Sequence, residues 1–177
     1  MNEGPRIEEF LTTIVGITPR RFNDQYKSPN DYVLQHGHLY ESAELTIEER
    51  GALAQLNPRE YKVRECYYNA QFIAITFPEF SYVEGMAIGI VPVDHAWVEL
   101  NGKVIDMTWT EHGPVLGVIP EDSGYYGVVI PTRQVWESIR AHHTWKPLID
   151  DFECRLPMLR GGEHLVQPAD HPSIIGP

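Results

Sequence analysis

Ile7, Phe10, Leu11 and Ile14 recur at helical spacing near the start of the chain, and the pattern stops at Gly16 and Pro19. This predicts a short amphipathic helix from Arg6 to Val15. A polar stretch with Pro and Asn runs through Pro29, and Tyr32 to Tyr40 reads as a strand or an irregular loop. Thr46 and Glu49 have the spacing of a capping box. Ile47, Leu53 and Leu56 then supply the apolar face of a helix that ends before Pro58. From Cys66 to Ile75 apolar residues again recur at helical spacing with no Gly or Pro until Pro78, which predicts a helix with Cys66 near its N-terminus.

Beyond Pro78 the residue types change. Tyr82 to Ile90, His95 to Leu100 and Lys103 to Thr108 read as strands, and Asn101-Gly102 between the last two is a strong hairpin signal. Val115 to Ile119 and Tyr125 to Ile130 are further candidate strands. Thr132 is placed to cap a helix carrying Val135, Ile139 and His142 on one face. The order of elements predicts an α+β fold in which helices pack on an antiparallel sheet.

The chain has 177 residues, of which 42% are hydrophobic. That suffices for one substantial core and is short for two, so a single domain is expected over 1–177. Its parts are an N-terminal helical region (1–60), a core carrying the chemistry (61–130), a helix (131–154) and an extended Pro/Gly-rich tail (155–177). No apolar run approaches the roughly 20 residues that cross a bilayer, and the first residues carry neither a basic leader nor an apolar signal core. A cytoplasmic protein without a membrane partner is the expectation. A formal net charge of -11 opposes a phosphate backbone, so nucleic acid is not an expected ligand. Gly85 and Gly89 relieve crowding in a strand or bulge and lack the Lys-Ser/Thr ending of a phosphate loop. The two cysteines, Cys66 and Cys154, are too few for a disulfide scaffold, and Cys154 is read as a structural thiol.

Chemistry enters with the hairpin. If Asn101 and Gly102 are its two central residues, Leu100 faces Lys103, Glu99 faces Val104, Val98 faces Ile105 and Trp97 faces Asp106. Alternation then places His95, Trp97 and Asp106 on one face, with Asp106 diagonal to His95 at about 7 to 8 Å between backbones, close enough for the side chains to meet. A carboxylate in that position fixes the imidazole tautomer and leaves the other ring nitrogen to move a proton. Cys66 at a helix N-terminus supplies the nucleophile, because unpaired amides and a nearby imidazolium favour thiolate over thiol. Its backbone amide is a candidate oxyanion donor.

The Cys-initiated helix, YVEG at Tyr82 to Gly85, HAWVEL at His95 to Leu100 and VIDMT at Val104 to Thr108 resemble the core of the transglutaminase-like superfamily, over roughly Glu65 to Trp109. The resemblance implies a papain-like fold and the order Cys66, His95, Asp106 for nucleophile, base and orienting carboxylate. Two departures stand out: Met107 replaces a Pro often found after the Asp, and Glu65 and Tyr67 flank the cysteine where Trp is usual. The members of that family include transglutaminases, peptidases, deamidases and inactive proteins. The implied activity is acyl transfer from a protein, peptide or small amide through a thioester, with no cofactor and no metal, and with a lean toward hydrolysis.

Trp97, Tyr82, Glu84 and Tyr67 are the candidate substrate-binding residues. Two other classes stay open at this point. One is an inactive module that uses the cleft around Trp97, Tyr82 and Glu84 to hold a ligand. The other is a metal hydrolase built on His36 and His38, which share a strand face if that region is extended, with His95. His142 and His143 add further imidazole.

Overall fold

A computed structural model of the chain describes residues 7–19, 25–108, 113–151 and 157–160. The expectations for Cys154, for Arg6 and for most of the tail fall outside the described residues. Five helices and a six-stranded antiparallel sheet make up the described chain, which is α+β. Helix α1 spans Ile7–Ile17 and buries Ile7, Leu11 and Val15 at helical spacing.

Helix α2, Pro29–His36, corrects the expectation of a strand or loop at Tyr32 to Tyr40. The Ser28 side chain accepts from the Asp31 amide, and Pro29 stands at the first helical position, where its missing N–H costs nothing. The residues that suggested a loop are thus the start of a helix. Only His38 and Leu39, strand β1, are extended.

Helix α3 (Ile47–Leu53) has the expected capping box in full, with Thr46 and Glu49 bonded reciprocally. Glu49 also accepts from Asn101 at 3.0 Å and Lys103 at 2.6 Å, so the cap of α3 holds the tip of the following hairpin. Helix α4 runs Cys66–Thr76 and lies against strands β2 (Ser81–Ile88) and β3 (Pro92–Leu100). Strand β4 is Lys103–Asp106, β5 is Val115–Leu116 and β6 is Gly124–Ile130. Helix α5, Thr132–His142, starts without a side-chain cap, so Thr132 is its first residue and not its cap. It stops where His143 turns left-handed (φ 53°), short of residue 154.

The sheet order is β1-β6-β2-β3-β4-β5, with every neighbouring pair antiparallel. One face carries Tyr82, Met86, Ala96, Val98, Ile105 and Val128 and is covered by the helices through Ile7, Leu11, Val33, Ile73 and Val135. Alternation turns Val83, Ala87, Trp97, Val104 and Tyr125 to the opposite face, where Tyr40 and Val115 join them. β2 crosses β6 closely at Gly85, where a Cβ would lie 2.1 Å from the Tyr126 carbonyl oxygen, so only glycine fits. Among the described residues no helix is long and apolar enough to cross a membrane.

Candidate active site

Asn101 and Gly102 both have positive φ (51° and 76°), the signature of a type I′ turn, and that turn fixes the β3–β4 register. The observed pairs are Leu100 with Lys103, Glu99 with Val104 and Val98 with Ile105, as the two-residue turn requires. Asp106 ends β4, and its Oδ2 lies 2.7 Å from His95 Nε2. A carboxylate only accepts, so Nε2 carries the proton and donates it to Asp106. That leaves Nδ1 as the ring nitrogen not engaged by Asp106, and the Cys66 thiol lies near enough to the ring to favour its charged form.

Each group is held from behind. Cys66 is the first residue of α4, so the positive end of the helix dipole lies at the thiol. Asn69, one turn further on and buried, accepts from the Lys62 amide at 2.9 Å. Its Nδ2 donates to the Lys62 carbonyl at 2.7 Å and to the Thr108 hydroxyl at 2.8 Å. Those bonds tie the start of α4 to the residues just past β4. On the sheet, His95 pairs with Gly85, and its ring stacks beside Trp97 with 6.2 Å between centroids and 23° between planes.

Asp106 is fully buried, and among the described residues it accepts from His95 and the Tyr125 hydroxyl (3.0 Å) on Oδ2 and from the Thr108 amide (2.8 Å) on Oδ1. Burial opposes its charge, but the positive charge of His95 and the three hydrogen bonds outweigh it and keep the carboxyl below its ordinary range. For His95 burial likewise opposes protonation. The Asp106 charge, its hydrogen bond and the Cys66 thiol more than reverse this, raising the imidazole to about 10. The arrangement therefore favours an imidazolium next to the sulfur at neutral pH.

A small cleft opens beside His95, with Tyr67, Glu84, Asp94, Ile149 and Asp150 on its walls. Glu84 is buried and accepts from the Tyr82 hydroxyl and from the amides of Leu148 and Ile149. Burial outweighs these donors and lifts its carboxyl to about 7. Gln71 donates to the Lys146 carbonyl at 2.7 Å, and Lys146 pairs with Asp151 at 3.0 Å, which fastens the segment that forms this wall.

The structure brings Cys66, His95 and Asp106 together and puts Tyr67 and Glu84 on the cleft wall. Trp97 and Tyr82, predicted beside them, are not on it. Trp97 is 1% exposed within the second core cluster, and Tyr82 is fully buried with its hydroxyl on Glu84. Strand alternation assigned their faces but did not reveal what covers each face. His36 ends α2 with its Nε2 on the Tyr26 hydroxyl, and His38 in β1 packs at a tilt against the Tyr40 ring, so the two share no strand face. Among the described residues no group of three His, Cys, Asp or Glu is placed to hold a metal ion.

Three contributors were missed from sequence: Asn69, Thr108 and Tyr125. Asn69 offers one faint signal, since an Asn facing the core side of an apolar helix needs buried partners. No family model matches the chain, and neither the curated proteins nor the solved structures include a match to it.

Proposed function

We propose that the chain is a cysteine-dependent acyl-transfer enzyme of the papain-like, transglutaminase-like kind, acting on an amide through a thioester at Cys66. The observation that supports this reading is the convergence of the Cys66 thiol, the His95 ring and the Asp106 carboxylate, with His95 Nε2 2.7 Å from Asp106 Oδ2 and a cleft opening at His95. With the Cys66 proton held on His95 Nδ1, the sulfur attacks the amide carbonyl. The tetrahedral oxyanion collapses as His95 returns the proton to the departing amine, leaving a thioester. Water or a second amine, deprotonated by His95, then releases the acyl group and restores the thiol. Asp106 keeps Nε2 protonated throughout, so Nδ1 is the nitrogen that exchanges the proton.

The test is single-turnover reaction with p-nitrophenyl acetate, an activated acyl donor, quenched in acid and read by mass spectrometry. Acetylation at Cys66 that is absent in Cys66→Ala and strongly slowed in His95→Ala is the expected result. Acetylation at equal rates in the parent and His95→Ala would remove the base from the mechanism and overturn the proposal.

A further inference from the structure

We infer that Tyr125 is a positioning residue of this site, its hydroxyl donating to the same Asp106 oxygen that receives His95 and so setting how strongly the carboxylate holds the imidazole. The inference rests on the Cys66–His95–Asp106 reading and adds a fourth residue to it.

The geometry is specific. Tyr125 lies in β6, paired with Ala87 of β2, whose small side chain leaves the face open for the phenol ring. The ring packs edge-on against Trp97 at 5.1 Å between centroids and lies 6.4 Å from the His95 ring. Trp97 is itself seated over Gly127, where a Cβ would come within 2.6 Å of the indole. The phenol is thus fixed by packing, and its oxygen falls 3.0 Å from Asp106 Oδ2. The Thr108 amide occupies Oδ1, so the carboxylate is held at both oxygens while His95 and Tyr125 share one of them.

Sharing has a consequence for chemistry. A donor on Oδ2 draws negative charge away from the His95 bond, which weakens the grip of Asp106 on the imidazolium and makes the His95 proton easier to give to a leaving amine. The charged and titratable groups around His95 are Cys66 and Tyr67 from α4, Glu84 from β2, Asp94 beside it in β3, Asp106 from β4, Tyr125 from β6 and Asp150 from the cleft wall. Among these described groups, Tyr125 touches Asp106 on the oxygen it shares with His95.

The experiment follows the His95 ring nitrogens by long-range ¹H–¹⁵N correlation against pH in the full chain, in the parent, Tyr125→Phe and Tyr40→Phe. Tyr40 is the control: it lies in the same cluster and its hydroxyl donates to Glu99 at 2.7 Å. Tyr125→Phe is expected to move the His95 midpoint upward by about half a pH unit or more, because the charge on Oδ2 is no longer shared. Tyr40→Phe is expected to leave it in place. A Tyr125→Phe midpoint equal to that of Tyr40→Phe, or below the parent's, overturns the inference. Should Tyr125→Phe not fold, 3-fluorotyrosine at position 125 is a stronger donor and must move the midpoint downward; no movement overturns the inference equally. Iodoacetamide labelling separates the two levels. Labelling of Cys66 that ignores His95→Ala overturns the catalytic reading, whereas labelling that depends on His95, with Tyr125→Phe equal to the control, overturns the role of Tyr125 alone.

Discussion

Replacing Asp106 by asparagine removes one charge and changes the side-chain volume very little, so its effect isolates electrostatics from packing. The Thr108 amide fixes which way the new carboxamide points: its oxygen must remain on the Thr108 side to accept that N–H. The Nδ2 group then faces two donors, His95 Nε2–H and the Tyr125 hydroxyl, and His95 must move its proton to Nδ1 to relieve the conflict. That is the wrong tautomer for a base facing Cys66. The energetic loss follows from linkage. His95 is held at about 10 against an ordinary value of 6.5. At ~1.4 kcal/mol per pH unit this gap sets a ceiling of ~5 kcal/mol. Measured costs of breaking a buried pair, about 3–5 kcal/mol, fall in the same range.

The sign is that of a group whose folded value lies above its unfolded one: the stabilisation is fully present below about 6.5 and disappears as pH rises through about 10. Urea denaturation of the parent and Asp106→Asn at several pH values between 6 and 10 measures it, and subtraction cancels the groups the two proteins share. The expected gap is about 3–4 kcal/mol at pH 6, shrinking steadily toward pH 10. A gap that stays constant across this range, or one below about 1 kcal/mol at pH 6, would refute the ionic account of the pair.

Cys66→Ala should abolish the proposed acyl transfer while changing stability by less than about 1 kcal/mol, since the side chain is only half-buried; mass spectrometry and a denaturation curve check the two halves. Asn69→Ala removes three hydrogen bonds, the one to Thr108 fully buried, and is expected to cost about 2–4 kcal/mol and to slow Cys66 labelling, because the start of α4 loses its tie to Thr108. Gly85→Ala drives a methyl into the Tyr126 carbonyl and should lower stability by at least about 2 kcal/mol in urea; an unchanged midpoint contradicts the packing there. Glu84 is an acid raised to about 7, so the folded state binds more protons than the unfolded between about 4.5 and about 7, and stability falls as pH rises through that window. Glu84→Gln should erase this slope, and a parent curve with no such slope would contradict the burial of an ionisable carboxyl.

The hairpin carries most of what the sequence revealed. Asn101-Gly102 admits one tight turn, the turn admits one register, and the register brings Asp106 to His95, so two members of the site follow from local chemistry. Cys66 was legible for a similar reason, because an uninterrupted apolar pattern begins at it. The supporting residues were not legible. Tyr125 and Asn69 meet the site only through strand order and helix placement, across 19 and 39 residues of chain. Sheet order is a tertiary property that alternation does not encode. Trp97 and Tyr82 were misplaced on the same account, since both sheet faces are covered and neither residue reaches the cleft. At α2, a Ser-Pro-Asn-Asp run that begins a helix has the same composition as a loop.

The measurement that bears most directly on the central claim is the rate of iodoacetamide labelling of Cys66 against pH in the parent and in His95→Ala, read on the Cys66 peptide so that Cys154 does not contribute. A base acting on Cys66 predicts labelling at neutral pH that falls about tenfold or more when His95 is lost. Two superimposed profiles would contradict the account.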